Sequence, residues 1–303
     1  MNYRDKFGLL PTPVTLQFTQ GIIKPLDGYE EIMHEVQNEA HHEGYLYPPT
    51  IHWERGKKES YNHNSNTYTE YEIVPNSERP SPVLILPATH SIELFEEYSR
   101  GGRQTIGAFV IQLVGFLFGV RTQFYDWRID GRGLVKGRND FIITAKKASE
   151  CVSTSVESWN MWGEEERKRI TNILYLYTKA ISEEYEWLEF TLLYMVFDAC
   201  YHLSNTLYSV TAKSHEDRLI EVSSNFGIVE EPELFKEWST LRNNLFHEAL
   251  WRGDHVGASS ISEIYHSILY FHAYLSRVIV ALLGYKTKYI GYTWKHLSMV
   301  AFD

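Results

Sequence analysis

A chain of 303 residues, 44% hydrophobic and 15% aromatic, holds enough apolar material for a sizeable core, which excludes disorder as its default state. Its formal charge of -10 argues against coating nucleic acid through a general positive surface, because such binding needs many Lys and Arg contacts to phosphate. The two cysteines, Cys151 and Cys200, supply neither a disulfide framework nor a four-ligand zinc pattern.

The N-terminal "MNYRDKFGLLPTPVTLQF" lacks the basic-then-apolar layout of a secretory signal, and a cytoplasmic location is the simplest expectation. About the first 90 residues mix prolines with β-branched and aromatic residues. There Thr50–Trp53 and Thr69–Ile73 read as half-buried strands around a polar turn, and "SPVLILP" as a third strand. Between Thr105 and Arg121 runs an apolar stretch of about 15 residues containing Gln112. A membrane-spanning helix needs roughly 20 residues, so this one predicts a buried core helix and no membrane partner.

Beyond it, Gly131, Gly133 and Gly137 interrupt any helix, and "FIITA" can return to a strand. The stretch 121–150 carries Arg121, Arg128, Arg132, Lys136, Arg138, Lys146 and Lys147 against four acids, the most basic part of an acidic chain. That bias fits either a solvated loop or a phosphate-facing surface that lends positive potential to a neighbouring site. Composition turns helical near residue 150. The expected organisation is therefore α+β: a mixed β/α domain over 1–150, followed by an all-α helical bundle over 151–303.

Five helices are expected in the second part. "EEERKRITNILYLYTKAISEE" has acids in its first turn and apolar residues at helical spacing, and "YEWLEFTLLYMVFDACYHLSNTLY" is apolar nearly all round, as a central buried helix should be. "HEDRLIEVSSNFG" is shorter. "EEPELFKEWSTLRNNLFHEALWRG" starts at Pro232 and should stop at Gly253, and "SSISEIYHSILYFHAYLSRVIVALLGY" closes the set. Short connections favour antiparallel neighbours.

On the fourth of these helices, at about 100° per residue, Leu234, Trp238, Leu241, Leu245, Ala249, Phe235 and Phe246 form one apolar arc. Arg242 falls inside that arc, while Asn243 and His247 lie together on the side turned away from the core. An arginine cannot shed its charge on desolvation, so Arg242 needs a carboxylate or a charged ligand. The central helix offers Asp198 and Glu189 as structural counter-charges. His202, four residues after Asp198, is expected as a core contact or as a support for Arg242.

The spacing of Arg242, Asn243 and His247 in "LRNNLFH", followed by a short loop and a long apolar final helix, resembles the Arg-polar-x3-His motif of the HEPN superfamily, most closely its Apea-like branch. The resemblance covers about the last 140 residues. It departs from the family after the histidine, where a small residue is common and this chain has Glu248. The resemblance implies a metal-independent endoribonuclease that needs no cofactor, acts on RNA and serves as a toxin or phage-defence effector. It also implies a homodimer through the helical domain, whose two motifs share one cleft. Cutting RNA without a metal uses the 2′-hydroxyl as nucleophile, so a base must take its proton and an acid must protonate the leaving 5′-oxygen; histidine suits both roles. Arginine suits the charge that builds on phosphorus, and Asn243 could orient the imidazole or a phosphate oxygen.

The alternative is a non-catalytic HEPN-like module that binds RNA, a nucleotide or a protein, with a regulatory protein or ligand held by the N-terminal region. Other motifs are weaker. "HHE" at His41–Glu43 and the pair His266 and His272 lack a metal-ligand spacing. No GxSxG, GxxxxGK[ST] or strand-to-helix GxGxxG occurs, and "RGGRQTIG" has no Lys-Ser/Thr ending.

Overall fold

The computed structural model of the chain describes residues 2–39, 44–47, 58–62, 67–71, 84–95, 102–256, 263–295 and 299–303. The architecture is α+β, with a small β region toward the N-terminus and helices in the C-terminal part. An antiparallel five-stranded sheet orders Leu16–Phe18, Gly21–Pro25, His90–Leu94, Tyr3–Gly8 and Gln123–Phe124 side by side. Along His90–Leu94 the alternating His90, Ile92 and Leu94 are buried while Ser91 and Glu93 turn outward, the period of two that makes one face of a sheet apolar. This strand comes from "SIELF", which the sequence did not assign.

Of the expected strands, Leu84–Ile85 forms within "SPVLILP" and pairs with Arg128–Ile129. Phe141–Ile142 forms within "FIITA" and pairs in parallel with Val300–Ala301. The strand Thr67–Tyr71 pairs with Lys58–Asn62; the expected partner at Thr50–Trp53 lies outside the described residues, as does the end of the expected strand at Ile73.

Eight α-helices are formed among the described residues. The helix α1 (Tyr29–Glu39) covers a small cluster built on Leu9, Leu46, Leu84 and Ile129. The apolar stretch is α2 (Ile106–Phe118), buried on almost every face, and Phe109, Val110, Leu113, Phe116 and Leu117 have no exposed surface. Complete burial of such a side chain is worth about 1.5–3 kcal/mol, which is why α2 is the joint of the molecule. Its polar residue is used locally: Gln112 donates to the Thr122 carbonyl at 3.0 Å and Thr122 donates to the Ile111 carbonyl at 2.7 Å, which ties the following strand to the helix.

The next helix, α3 (Ala145–Met161), is capped by the Thr144 hydroxyl, which accepts from the Lys147 amide. It runs through residue 150, where a boundary was expected. One core takes Phe7, Ile23 and Ile92 from the sheet, α2, and buried residues of the later helices together. The five helices expected beyond residue 164 are α4 (Glu164–Ala180), α5 (Glu186–Tyr208), α6 (His215–Phe226), α7 (Pro232–Glu248) and α8 (Glu263–Leu282). The helix α5 is central and packs against α4, α6 and α8. No helix among the described residues is long and apolar enough to cross a membrane.

The helix α7 ends earlier than expected. It stops at Glu248, with Ala249 as a left-handed cap (φ 56°) whose amide donates to the Asn244 carbonyl. A tight hairpin follows, pairing Leu250–Trp251 with Asp254–His255 through Arg252 (φ 58°) and Gly253 (φ 88°). Two positive φ values in a two-residue loop define the turn whose twist matches paired strands, so Gly253 belongs to a hairpin rather than to a helix stop. Trp251 is buried against Phe190 of α5, and this pins the chain just beyond the motif.

Candidate functional site at the corner of three helices

The buried face of α7 is Phe235, Trp238 and Leu241, and the Trp238 indole donates to the Ser267 hydroxyl of α8 at 2.9 Å. This anchoring fixes the rotation of α7 and hence what its other side presents. Arg242 is half-buried, whereas Asn243 and His247 are exposed, as the angular reading predicts. Phe246, which that reading put in the apolar arc, is instead 44% exposed. It leans toward the Tyr194 ring of α5, and the Arg242 guanidinium lies over it, 5.2 Å from the ring centre.

The motif residues touch one another. Arg242 Nη1 is 2.9 Å from His247 Nε2 and 3.2 Å from Asn243 Oδ1. A guanidinium only donates, so in this contact His247 Nε2 is the acceptor. Asn243 therefore steadies the arginine, not the imidazole for which it was a candidate. Arg242 Nε is buried and has no hydrogen-bond partner.

The structural counter-charges expected for Arg242 are used elsewhere. Glu189 is 4% exposed and lies 2.7 Å from His272 Nε2 and 3.2 Å from Arg138 Nη1. Its carboxyl is held below the ordinary range by the hydrogen bond from His272 and by the guanidiniums of Arg138 and Arg132, which together outweigh its burial. Burial pushes His272 down, against the opposing pull of the Glu189 carboxylate. Asp198 lies 3.5 Å from Arg218 Nη1 and 4.0 Å from His215 Nδ1, both on α6. Among the described residues no carboxylate is within ion-pair distance of Arg242. His202 is exposed with its ring edge-on to Tyr201, so it is not the core contact expected of it.

Sequence spacing missed what α5 and α6 bring to this corner. The His215 ring meets the Tyr194 ring edge-on, 5.7 Å between centres. Burial lowers the His215 pKa, the nearby positive charges of Arg242 and Arg218 lower it further, and Asp198 opposes them. Tyr194 is 1% exposed, and burial together with Asp198 pushes its phenol well above the usual range, against the pull of Arg242 and Arg218. Tyr194, Asp198, His215, Arg218, Arg242 and His247 thus gather from three helices. The signal that could have found His215 was faint: a histidine at the first helical position after the capping Ser214.

The basic stretch divides into buried or half-buried arginines and exposed charges. Arg121 is 2% exposed and donates to the Asp130 carbonyl at 2.6 Å, to its carboxylate at 3.2 Å and to the Tyr175 hydroxyl at 3.2 Å. Arg132 donates to the Ser182 and Glu183 carbonyls at 2.6 and 2.7 Å, and Arg138 to the Ile181 carbonyl at 3.3 Å. Arg132 and Arg138 cap the C-terminal end of α4, where unpaired carbonyls and the helix dipole favour positive charge, and Arg121 ties the loop at 130–132 to Tyr175 of α4. These three are staples, while Arg128, Lys136 and Lys146 are exposed, as the solvated reading expects. His266 is exposed and His272 is engaged with Glu189, so that pair does not converge, and His41–Glu43 lies outside the described residues. Among the described residues no three His, Cys, Asp or Glu side chains assemble a metal-binding group.

No family model, no curated protein and no solved structure matches the chain.

Proposed function

We propose that this protein is an HEPN-type, metal-independent endoribonuclease whose site is centred on Arg242 and His247, with Asn243 holding the arginine. The single observation that carries the reading is the 2.9 Å contact between Arg242 Nη1 and the exposed His247, made while Arg242 has no carboxylate partner among the described residues and keeps a buried, unpartnered Nε. An arginine there with no counter-charge of its own is suited to receive an anion.

In the proposed reaction the RNA 2′-hydroxyl attacks the adjacent phosphorus, the P–O5′ bond breaks, and the products are a 2′,3′-cyclic phosphate and a free 5′-hydroxyl. One group takes the 2′-hydroxyl proton and another returns a proton to O5′; His247 fills one of these roles. Arg242 forks onto the non-bridging oxygens as charge grows on them. The second proton-transfer group comes either from a partner copy across a two-fold axis, as the resemblance implies, or from this chain. A role as a toxin or phage-defence effector is the biological setting proposed for such an activity.

The test is cleavage of end-labelled RNA in EDTA by the wild type, His247→Ala and Arg242→Ala, with folding followed by circular dichroism. Cleavage that either substitution abolishes in a folded protein supports the reading. Binding of RNA without cleavage, unchanged by both substitutions, favours the non-catalytic module instead.

A further inference from the structure

The described part of the molecule contains ten buried side-chain polar atoms with no hydrogen-bond partner. Four of them belong to this one corner: Tyr194 Oη, His215 Nδ1, Arg218 Nε and Arg242 Nε. An orphaned buried polar group costs about 1–3 kcal/mol, so four in one place is a large outlay unless something else meets them. Three of the four can only donate or donate as well as accept, and two belong to permanently charged guanidiniums. A single carboxylate, Asp198, stands against those two charges, and it is already close to Arg218. Two of the three acids on α6 are engaged elsewhere: Asp217 accepts from Ser214, and Glu221 accepts from the Thr211 and Ala212 amides. What this set lacks is a multivalent oxyanion.

We infer that Tyr194, His215, Arg218 and Arg242 form one built phosphodiester site, and that His215 is its second proton-transfer group, supplied by the same chain as His247. The phosphate part stands on the geometry alone; the proton-transfer part rests on the ribonuclease reading above. Tyr194 Oη and the two guanidiniums address the non-bridging oxygens. His215 faces Asp198 through Nδ1 at 4.0 Å, a distance that one bound, ordered substrate could tighten into the carboxylate–imidazole pair that orients a base. The groups that face His215 are Tyr194 and Asp198 from α5, Arg218 from α6, and Arg242 and His247 from α7. Burial and the positive charges of Arg242 and Arg218, opposed by Asp198, favour the neutral form of His215, the form that accepts the proton of the 2′-hydroxyl. His247 on α7, protonated once Arg242 turns from its Nε2 to the phosphate, then gives that proton to the leaving O5′. A site of this kind needs no imidazole from a partner copy.

The test has two arms on the full chain, both in EDTA. In the first, inorganic phosphate and then a short 2′-O-methyl RNA, which cannot be cleaved, are titrated while the imidazole resonances of His215 and His247 are followed by NMR. Saturable movement of both resonances by both probes is expected. Tyr194→Phe should weaken binding several-fold while leaving stability unchanged or raised, since the lost hydroxyl has no partner to abandon. His215 resonances that do not move, or movement with phosphate and none with the RNA, overturn the site. Tyr194→Phe binding both probes as tightly as the wild type also overturns it.

In the second arm, single-turnover cleavage is measured against pH for the wild type, His215→Gln and His247→Gln. His215→Gln should lower the rate about 10²-fold and flatten the acidic limb of the profile, with free imidazole restoring part of the rate. An unaltered profile and rate in His215→Gln overturn its proton-transfer role. A wild type that cleaves nothing overturns the ribonuclease reading and this role with it, while the phosphate site is still decided by the first arm.

Discussion

Arg121 and Arg132, which lead into the bundle, and Arg218 and Arg242, at the corner of α5, α6 and α7, carry the same charge and meet opposite surroundings. The first pair gives its donors to the carboxylate and carbonyl of Asp130, to a tyrosine hydroxyl and to the open carbonyls after α4. The second pair keeps a buried Nε unpartnered on each member, and Arg242 rests on an aromatic ring and a histidine rather than on an acid. Burial of charge alone does not mark a site, because Arg121 is the more buried and the more fully satisfied. What distinguishes this corner from the staples is unmet hydrogen-bonding capacity concentrated in one place.

The largest effect expected from this contrast is on activity. Arg242→Ala should lower RNA cleavage by about 10²-fold or more, since a charge-stabilising donor is removed, yet change the unfolding free energy measured in urea by under about 0.5 kcal/mol. Arg121→Met should do the reverse. It leaves the Asp130 and Arg132 carbonyls short of a donor and costs about 2 kcal/mol in urea unfolding, whereas cleavage per folded molecule is retained. Equal stability losses in the two variants would erase the distinction between staple and site.

The histidines divide in the same way. Burial lowers His90 to about 4 and pushes His272 down as well. A folded-state pKa below the unfolded value near 6.5 means that the native state binds fewer protons. The stability so gained is present above about pH 6.5 and is lost as pH falls toward 4. Chemical denaturation from pH 7 to 4.5 should show that decline, and His90→Gln should flatten it. A slope unchanged in His90→Gln would contradict the assignment.

The smallest effect concerns the cap beyond the motif. Ala249 holds a left-handed φ of 56°, where a Cβ is unfavourable, so Ala249→Gly should stabilise by about 0.5–1 kcal/mol in thermal unfolding without moving cleavage. A loss of stability would mean that the Cβ has packing value there.

The helices were legible because each carries an apolar stripe at the helical period with acids or proline at its start, and the motif was legible because all its members lie on one turn and a half of α7. The partners of Arg242 were not, because they depend on how helices rotate against one another. Asp198 was expected to neutralise it, but α6 inserts Arg218 and His215 there first. His215 sits 27 positions before Arg242 in the chain, and no spacing rule links them. The helix α3 was hidden by "SECVSTSVES", whose Ser, Thr and Val are weak helix formers that packing overrides. Phe246 escaped the apolar face because α7 is anchored by Trp238 and ends in a tight hairpin.

The central claim is that Arg242 and His247 serve a reaction driven by the 2′-hydroxyl. The most direct measurement compares an RNA and the all-DNA strand of the same sequence, incubated with the wild-type chain in EDTA, with the product ends identified by mass spectrometry. The account predicts RNA fragments ending in a 2′,3′-cyclic phosphate with a 5′-hydroxyl on the downstream piece, no cleavage of the DNA, and neither product from His247→Ala. Cleavage of the DNA strand, or RNA fragments carrying a 5′-phosphate, would contradict it.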